Sequence, residues 1–377
     1  MRVAITQDNI TSGGRLAVIL EMIEVLNDQD IIPNIICFKM HLTPKEIEKK
    51  YAKSLQFQTI TLKPNVFKKL PEFNKLWFNL LSRKYISQYD LFIDSNNTSF
   101  LMSGKKTVLS MIYGPRIDRV LKKDSIHKTD TNKFTLKTRI GQKIDKFIAS
   151  PIYTFHKIHE NNLFYTISDF SRQAIIRRYG IEQEAIKIIY QPVDIDAFNP
   201  NQEKNDWVAT IGRFSPAKNQ LEQIKIAKKV PDLIFHIMGF TDVNSNYYQK
   251  CEDYISKHRI SNVILHPNIN YKSMIDILEC SKYFLHTIWN EPFGITAVQG
   301  IAAGCVPNVP NCGGQTEVVP IDRLRFDSFE ESIAIFKNLI KENLAEINLT
   351  LLKHIELFNI VRFKENFQLI LRDYISD

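Results

Sequence analysis

The chain has 377 residues, 44% of them apolar and 24% charged, which exceeds one comfortable hydrophobic core and predicts two domains of ordinary globular composition. The absence of any run of 18 apolar residues excludes a membrane-spanning helix. The N-terminus reads as a core strand instead of a secretion signal, and five cysteines without metal or disulfide spacing fit a reducing cytoplasm. The net charge of +8 is uneven: residues 1–190 carry 30 Lys and Arg against 18 Asp and Glu, the remainder 19 against 23. A basic first half suits a phosphorylated acceptor or an anionic membrane surface. No nucleic-acid-binding module accompanies it, so nucleic acid is not an expected partner.

Residues 1–6 predict a first strand, followed by a loop ending Ser12-Gly13-Gly14. A helix follows with Leu16, Ile19, Leu20, Ile23 and Leu26 on one face. Strand, glycine loop and helix make the phosphate-cradling unit of doubly wound folds, although two glycines equally serve a tight turn. Strands near 35–38 and 58–62 bracket a helix from about Pro44. In residues 66–86, Phe67, Leu70, Phe73, Leu76, Trp77, Leu80 and Leu81 recur at helical spacing, with five Lys and Arg between them. Such a helix fits either a membrane interface or the core of its own domain. Strands follow near 91–94 and 106–110, the second leading into Tyr113-Gly114-Pro115-Arg116. The basic, poorly periodic stretch 116–146 reads as an acceptor-side flap or a solvated loop. A strand at 164–167 and a helix from Ser168-Asp169 to Tyr179 lead to Gln191-Pro192-Val193-Asp194.

The Pro- and Asn-rich stretch 195–206 reads as a linker, and Asp194 and Asp196 fit a domain-joining turn better than a metal site. A strand at 207–212 runs into Arg213-Phe214-Ser215-Pro216-Ala217-Lys218-Asn219. Ser215 is the expected N-cap and Pro216 the first helical residue, which places Lys218 in the first turn. A lysine is unfavourable there, and a pyrophosphate held between Arg213 and Lys218 supplies a reason for it. Strands at 233–238, ending at Gly239, and at 263–266 follow, then a helix over 273–279 and a strand over 282–286. The run from His286 through Asn290, Glu291, Pro292, Phe293 and Gly294 to Ile295 turns that strand into a helix bearing Val298, Gln299, Ile301 and Ala302. The amides of Gly294, Ile295 and Thr296 would open the helix as a phosphate site, with Glu291 at its rim. An acidic loop residue ahead of a core helix is the plainer reading of the same run. A strand at 306–309, a glycine turn over 311–317 and helices complete the chain.

The run His286-Thr287-Ile288-Trp289-Asn290-Glu291-Pro292-Phe293-Gly294-Ile295, preceded by Gly212-Arg213 and Lys218-Asn219, resembles the signature of retaining GT-B glycosyltransferases of family 4. Within that family it looks closest to the mannosyltransferases that extend lipid-linked oligosaccharides. The resemblance covers nearly the whole chain and is strongest in residues 163–319. It implies an α/β fold of two doubly wound, Rossmann-like domains facing a cleft. Residues 1–194 form the acceptor side, 195–206 a linker and 207–360 the nucleotide-sugar side, and a helix over 361–377 returns to the first domain. The implied reaction moves a sugar, mannose favoured, from a nucleotide diphosphate sugar to a hydroxyl of a glycan or lipid-linked acceptor. Retention of configuration is implied, with no metal and no cofactor.

The resemblance assigns catalytic roles to Glu291, Arg213 and Lys218. It adds Gly13, Gly14, Gly239, Asn290, Phe293, Gly294, Ile295, Thr296 and Gln299 to the donor site, with GDP-mannose favoured and a UDP-sugar as the alternative. Tyr113 and Arg116 fall on the acceptor side. Three positions depart from the family: Gln299 replaces its second Glu, Tyr113 its cleft-facing His, and Arg15 the acid after the glycine loop. Those departures leave open a non-catalytic sugar-nucleotide-binding or scaffold protein, or an epimerase on the same fold. The expected setting is cytoplasmic, with peripheral contact to the inner membrane face.

Overall fold

The computed structural model describes residues 1–10, 14–63, 71–95, 108–112, 163–179 and 182–376. Gly13, Tyr113, Arg116 and the basic stretch 116–146 lie outside them. The chain divides into two compact units, Met1–Pro192 with Phe363–Asp377, and Val193–Arg362.

The first unit is built on a parallel sheet. Its strands lie in the order Gln58–Thr61, Asn34–Cys37, Val3–Thr6, Leu91–Asp94, Val108–Ile112, Leu163–Thr166 and Ile186–Ile188. The order reverses between Val3–Thr6 and Leu91–Asp94, which pair directly. Strands of such a sheet are covered by helices on both faces, so they read as continuous apolar runs. Val3, Ala4 and Ile5 are accordingly buried. Helix Gly14–Asn27 buries the predicted face of Leu16, Ile19, Leu20, Ile23 and Leu26. It also buries Glu21, whose pKa is raised by that burial although Lys53 is bonded to it at 3.0 Å. Lys364, on the final helix Ile360–Ser376, donates to Glu24 at 2.7 Å and lies 3.6 Å from Glu21. This cluster of two carboxylates and two ammonium groups ties the end of the chain to the first helix.

Of the stretch 66–86, residues 71–83 form helix Pro71–Arg83, while Phe67 and Leu70 lie outside the described residues. Trp77 and Leu81 are partly buried and pack against the buried cluster of Phe78, Ile86, Tyr89 and Phe92. Leu80 remains half exposed.

The second unit is a six-stranded parallel sheet in the order Val263–Pro267, Ile234–Gly239, Asn205–Ile211, Ser281–Leu285, Val306–Pro310 and Arg325–Phe326. Here the order reverses between Asn205–Ile211 and Ser281–Leu285. The stretch 195–206 packs into this unit, with Ile195 and Phe198 buried. Lys204 Nζ donates to the carbonyls of Glu279 and Ala303. Those carbonyls close helices Tyr271–Cys280 and Ile295–Ala302, where a cation is favoured by the helix dipoles. Asp196 Oδ2 accepts a bond of 3.5 Å from Asn359. Among the described residues no group of three His, Cys, Asp or Glu is placed to hold a metal ion, and no helix is long and apolar enough to cross a membrane.

Candidate functional site

Two loops leave adjacent strands where the order of the second sheet reverses. One follows Ile211 and carries Gly212, Arg213 and Lys218; the other follows Leu285 and carries His286 to Gly294. A reversal of this kind splays the connections to opposite faces and opens a crevice at the carboxyl ends of the strands. The topology therefore sets the two sequence motifs side by side.

Gln220 shapes the first loop. Its side chain is buried, its Nε2 donates to the carbonyls of Gly212 and Arg213 at 3.1 and 3.0 Å, and its Oε1 accepts from the Ser215 amide at 3.2 Å. The turn differs from expectation. Pro216–Lys218 is a short 3-10 turn, Ser215 makes no side-chain cap, and Asn219 adopts a left-handed conformation with φ of 59°. The α-helix starts only at Gln220, so Lys218 precedes it instead of occupying its first turn. The cause is tertiary: Asn219 Nδ2 donates to the Thr287 carbonyl at 2.7 Å, and that bond holds Asn219 in a conformation that a short polar side chain tolerates. Thr287 Oγ1 donates to the Lys218 carbonyl at 3.3 Å and accepts from Gln223 Nε2 at 2.9 Å. Three bonds thus stitch the two loops together. Arg213 is exposed and forms no ion pair among the described residues.

The second loop is fixed from below. Trp289 packs edge-on against Phe326 with ring centroids 5.6 Å apart, and against Phe329 at 5.8 Å. Gln315 Nε2 reaches the carbonyls of Ile288, Pro310 and Cys312 at 3.1, 3.3 and 3.1 Å. The Gly314 amide donates to the Glu291 carbonyl at 2.8 Å, and the Asn290 amide donates to Cys312 Sγ at 3.4 Å. Held in this way, the Glu291 carboxylate meets Lys218 Nζ at 3.3 Å, both groups being partly exposed. Gly294, with φ of 114°, turns the chain into helix Ile295–Ala302, a conformation unfavourable for any residue with a Cβ. The first amides of that helix open beside Glu291. Gln299 lies half-buried on the same helix.

The Phe293 side chain is 1% exposed and packs edge-on against Phe358 with centroids 5.2 Å apart. An aromatic ring gains more from this apolar niche than from facing a polar crevice, so Phe293 anchors the loop. Gly239 ends its strand against Gly212, where a Cβ would stand 2.0 Å from the Gly212 carbonyl oxygen. Its role is close approach of two backbones. Gly14 is exposed at the start of the first-unit helix.

The residues that sequence reasoning did not place in the site are Gln220, Thr287, Gln315 and His286. Thr287 and Gln315 reach backbone carbonyls of distant segments, and Gln220 those of the loop before it, contacts that no local pattern marks. His286 is buried, and burial pushes its imidazole down to about 4, with Glu291 acting in the opposite direction. Its Nδ1 has no hydrogen-bond partner. The ring is therefore neutral at neutral pH, beneath the Lys218–Glu291 pair.

Residues 194–323 match the family model described as glycosyl transferases group 1. Among curated relatives, the Mus musculus protein named "GDP-Man:Man(3)GlcNAc(2)-PP-Dol alpha-1,2-mannosyltransferase" is 30% identical over 146 residues, 34% of this chain and 30% of that protein. The chain spans no more than about half the length of the curated relatives it matches first, 50% and 30%. Solved structures match along the full length. Anabaena Alr3699/HepE in complex with UDP and glucose superposes with a TM-score of 0.70 at 15% identity, over 99% of this chain and 100% of that one. Sucrose-phosphate synthase from Thermosynechococcus elongatus gives 0.72 at 12% identity, over 100% and 99%. The fold is GT-B. Arg213, Lys218, Gly239 and every residue from Asn290 to Gln299 singled out above fall inside the group 1 stretch.

Proposed function

We propose that this chain is a glycosyltransferase that moves a sugar from a nucleotide diphosphate sugar to an acceptor hydroxyl with retained configuration. The observation that carries this reading is the Lys218–Glu291 pair, 3.3 Å apart at the reversal point of the second sheet, with Arg213 on the same loop in no ion pair among the described residues and a helix opening beyond. A nucleotide diphosphate sugar presents two phosphates and a ring of hydroxyls. Arg213, Lys218 and the amides of Ile295 and Thr296 suit the phosphates; Glu291 suits the hydroxyls.

As the bond between the anomeric carbon and the phosphate oxygen breaks, negative charge grows on the leaving diphosphate. Fixed cations and amides stabilise that charge without reorganising. The acceptor oxygen forms the new bond to the anomeric carbon, and its proton passes to the departing phosphate oxygen. In this scheme Gln299 holds the ribose through neutral hydrogen bonds, and no metal takes part. Mannose from GDP-mannose is the favoured donor because the mouse relative is named for GDP-Man. The structural neighbour carrying UDP and glucose keeps a UDP-sugar as the second reading.

A mass-spectrometric turnover panel of nucleotide sugars against glycan and lipid-linked acceptors tests the proposal. Arg213→Ala and Lys218→Ala should each reduce turnover about a hundredfold or more while leaving the fold intact, since both side chains are at least partly exposed. Full activity in either variant would remove the mechanism. Nucleotide binding without turnover of any donor would leave a sensor or scaffold in its place.

A further inference from the structure

Phe240 is the first residue beyond strand Ile234–Gly239, and its side chain is 67% exposed. A single exposed apolar residue is ordinary on a protein surface. What sets Phe240 apart is how it is held and what stands beside it. The Gly239 carbonyl accepts from the Asn268 amide at 2.8 Å, and the Phe240 carbonyl from the Phe214 amide at 2.9 Å. The Thr241 amide donates to Asn268 Oδ1 and its carbonyl accepts from Asn268 Nδ2, both at 3.0 Å. Asn268 makes these bonds from a left-handed conformation with φ of 56°. The backbone on both sides of Phe240 is thus pinned, and the ring cannot leave water by a shift of its loop.

The neighbouring loop is the one that carries Arg213. Strands Ile234–Gly239 and Asn205–Ile211 are parallel partners, so Phe240 and Arg213 emerge side by side at the carboxyl edge of the sheet. The bond from Phe214 joins the residue after Arg213 to Phe240, and a Cβ on Gly239 would stand 3.3 Å from the Arg213 amide nitrogen. Arg213 is exposed as well, and Lys218 follows on the same loop. A flat apolar face fixed beside two cations matches a ligand with a planar ring at one end and phosphates at the other. Inorganic phosphate lacks the ring and an unmodified sugar lacks the charge. A nucleoside diphosphate has both.

We propose, on the transferase reading above, that Phe240 is the platform on which the nucleotide base stacks, and that it makes the site prefer a purine nucleoside diphosphate to a pyrimidine one. An aromatic face accepts any base, because every base has a π-face. The two fused rings of a purine cover more of a phenyl face than the single ring of a pyrimidine, so the purine gains more. With the base on Phe240, the diphosphate falls to Arg213 and Lys218.

Isothermal titration of the full chain with GDP, UDP, GDP-mannose and inorganic pyrophosphate tests it. GDP should bind about fivefold or more tighter than UDP. Phe240→Ala should weaken GDP by about tenfold, weaken UDP by less, and leave pyrophosphate unchanged, whereas Phe240→Trp should keep both nucleotides at or above their parent affinity. The side chain is exposed, so its truncation leaves the core of the unit intact. Equal GDP affinity in the parent chain and Phe240→Ala, equal losses for GDP and pyrophosphate, or tighter parent binding of UDP than of GDP would overturn the assignment. A loss seen with GDP-mannose and absent with GDP would make Phe240 a sugar platform and overturn it too. Nucleotide binding that is lost in Arg213→Ala and untouched in Phe240→Ala would sink this inference and leave the proposed transferase standing. No binding of any nucleotide would sink both.

Discussion

His286 makes the stability of the second unit depend on pH in a direction that can be worked out. Its imidazole has an unfolded pKa near 6.5 and is pushed by burial down to about 4 in the folded chain. Below pH 6.5 the unfolded state binds a proton that the folded state refuses. Stability from this group is therefore complete above about 6.5, falls as the pH drops, and is fully lost below about 4. Across the whole window the loss is about 3 kcal/mol, at about 1.36 kcal/mol per pH unit. Between pH 7.5 and pH 5 it amounts to about 2 kcal/mol. Urea unfolding at the two pH values measures it, followed by tryptophan fluorescence, because Trp207 and Trp289 both lie in the second unit. The comparison is with His286→Asn, which changes stability at both pH values but deletes this titration. His236 adds a parallel term that the comparison cancels: burial and the neighbouring His266, 3.0 Å away, push it down to about 4 as well. Equal losses in the parent chain and in His286→Asn would show that His286 does not titrate as its burial requires.

Lys204→Met should destabilise the second unit by about 2 kcal/mol, since it strips two helix-ending carbonyls of their shared donor; chemical denaturation reads this, and an unchanged midpoint would deny the role of Lys204. Gln299→Glu should tighten nucleotide binding by about 1 kcal/mol, about fivefold in Kd, if the side chain holds the ribose; calorimetry giving equal affinities would place it elsewhere. The basic excess of residues 1–190 predicts salt-sensitive binding to anionic vesicles, at about 1 kcal/mol per engaged cation, measured by sedimentation of the full chain. Absence of binding at low salt would favour a soluble acceptor. Trp77 should change its fluorescence little on vesicles, because it is partly buried against the cluster around Phe78.

The alternation of apolar runs with glycine and proline turns made the doubly wound modules legible, since a buried parallel strand and an amphipathic helix each leave a local period. The two loop motifs were legible for the same reason: each is contiguous, and each ends a strand. What their residues do was less so. The local preference of Ser215-Pro216 for a helix start was overridden at Asn219 by the Thr287 carbonyl, 68 residues away in the chain. That the Phe293 ring, within the loop motif, packs against Phe358 was likewise not marked by any local pattern. In the helix over 71–83, periodicity located the apolar face but could not tell a lipid surface from the hydrophobic core. The structure shows Trp77 and Leu81 partly buried against the cluster around Phe78.

By itself, then, the sequence determined the strands, the helices, the charge imbalance and the chemical types of Arg213, Lys218 and Glu291, all properties of residues near one another along the chain. Only the tertiary structure decided that Lys218 and Glu291, 73 residues apart, form an ion pair. It alone decided that His286 is buried without a partner for Nδ1 among the described residues. The physical reason is common to both. Pairing, desolvation and enclosure are set by what stands opposite a side chain, and in a parallel sheet that neighbour comes from a distant strand whose place in the order no local pattern encodes.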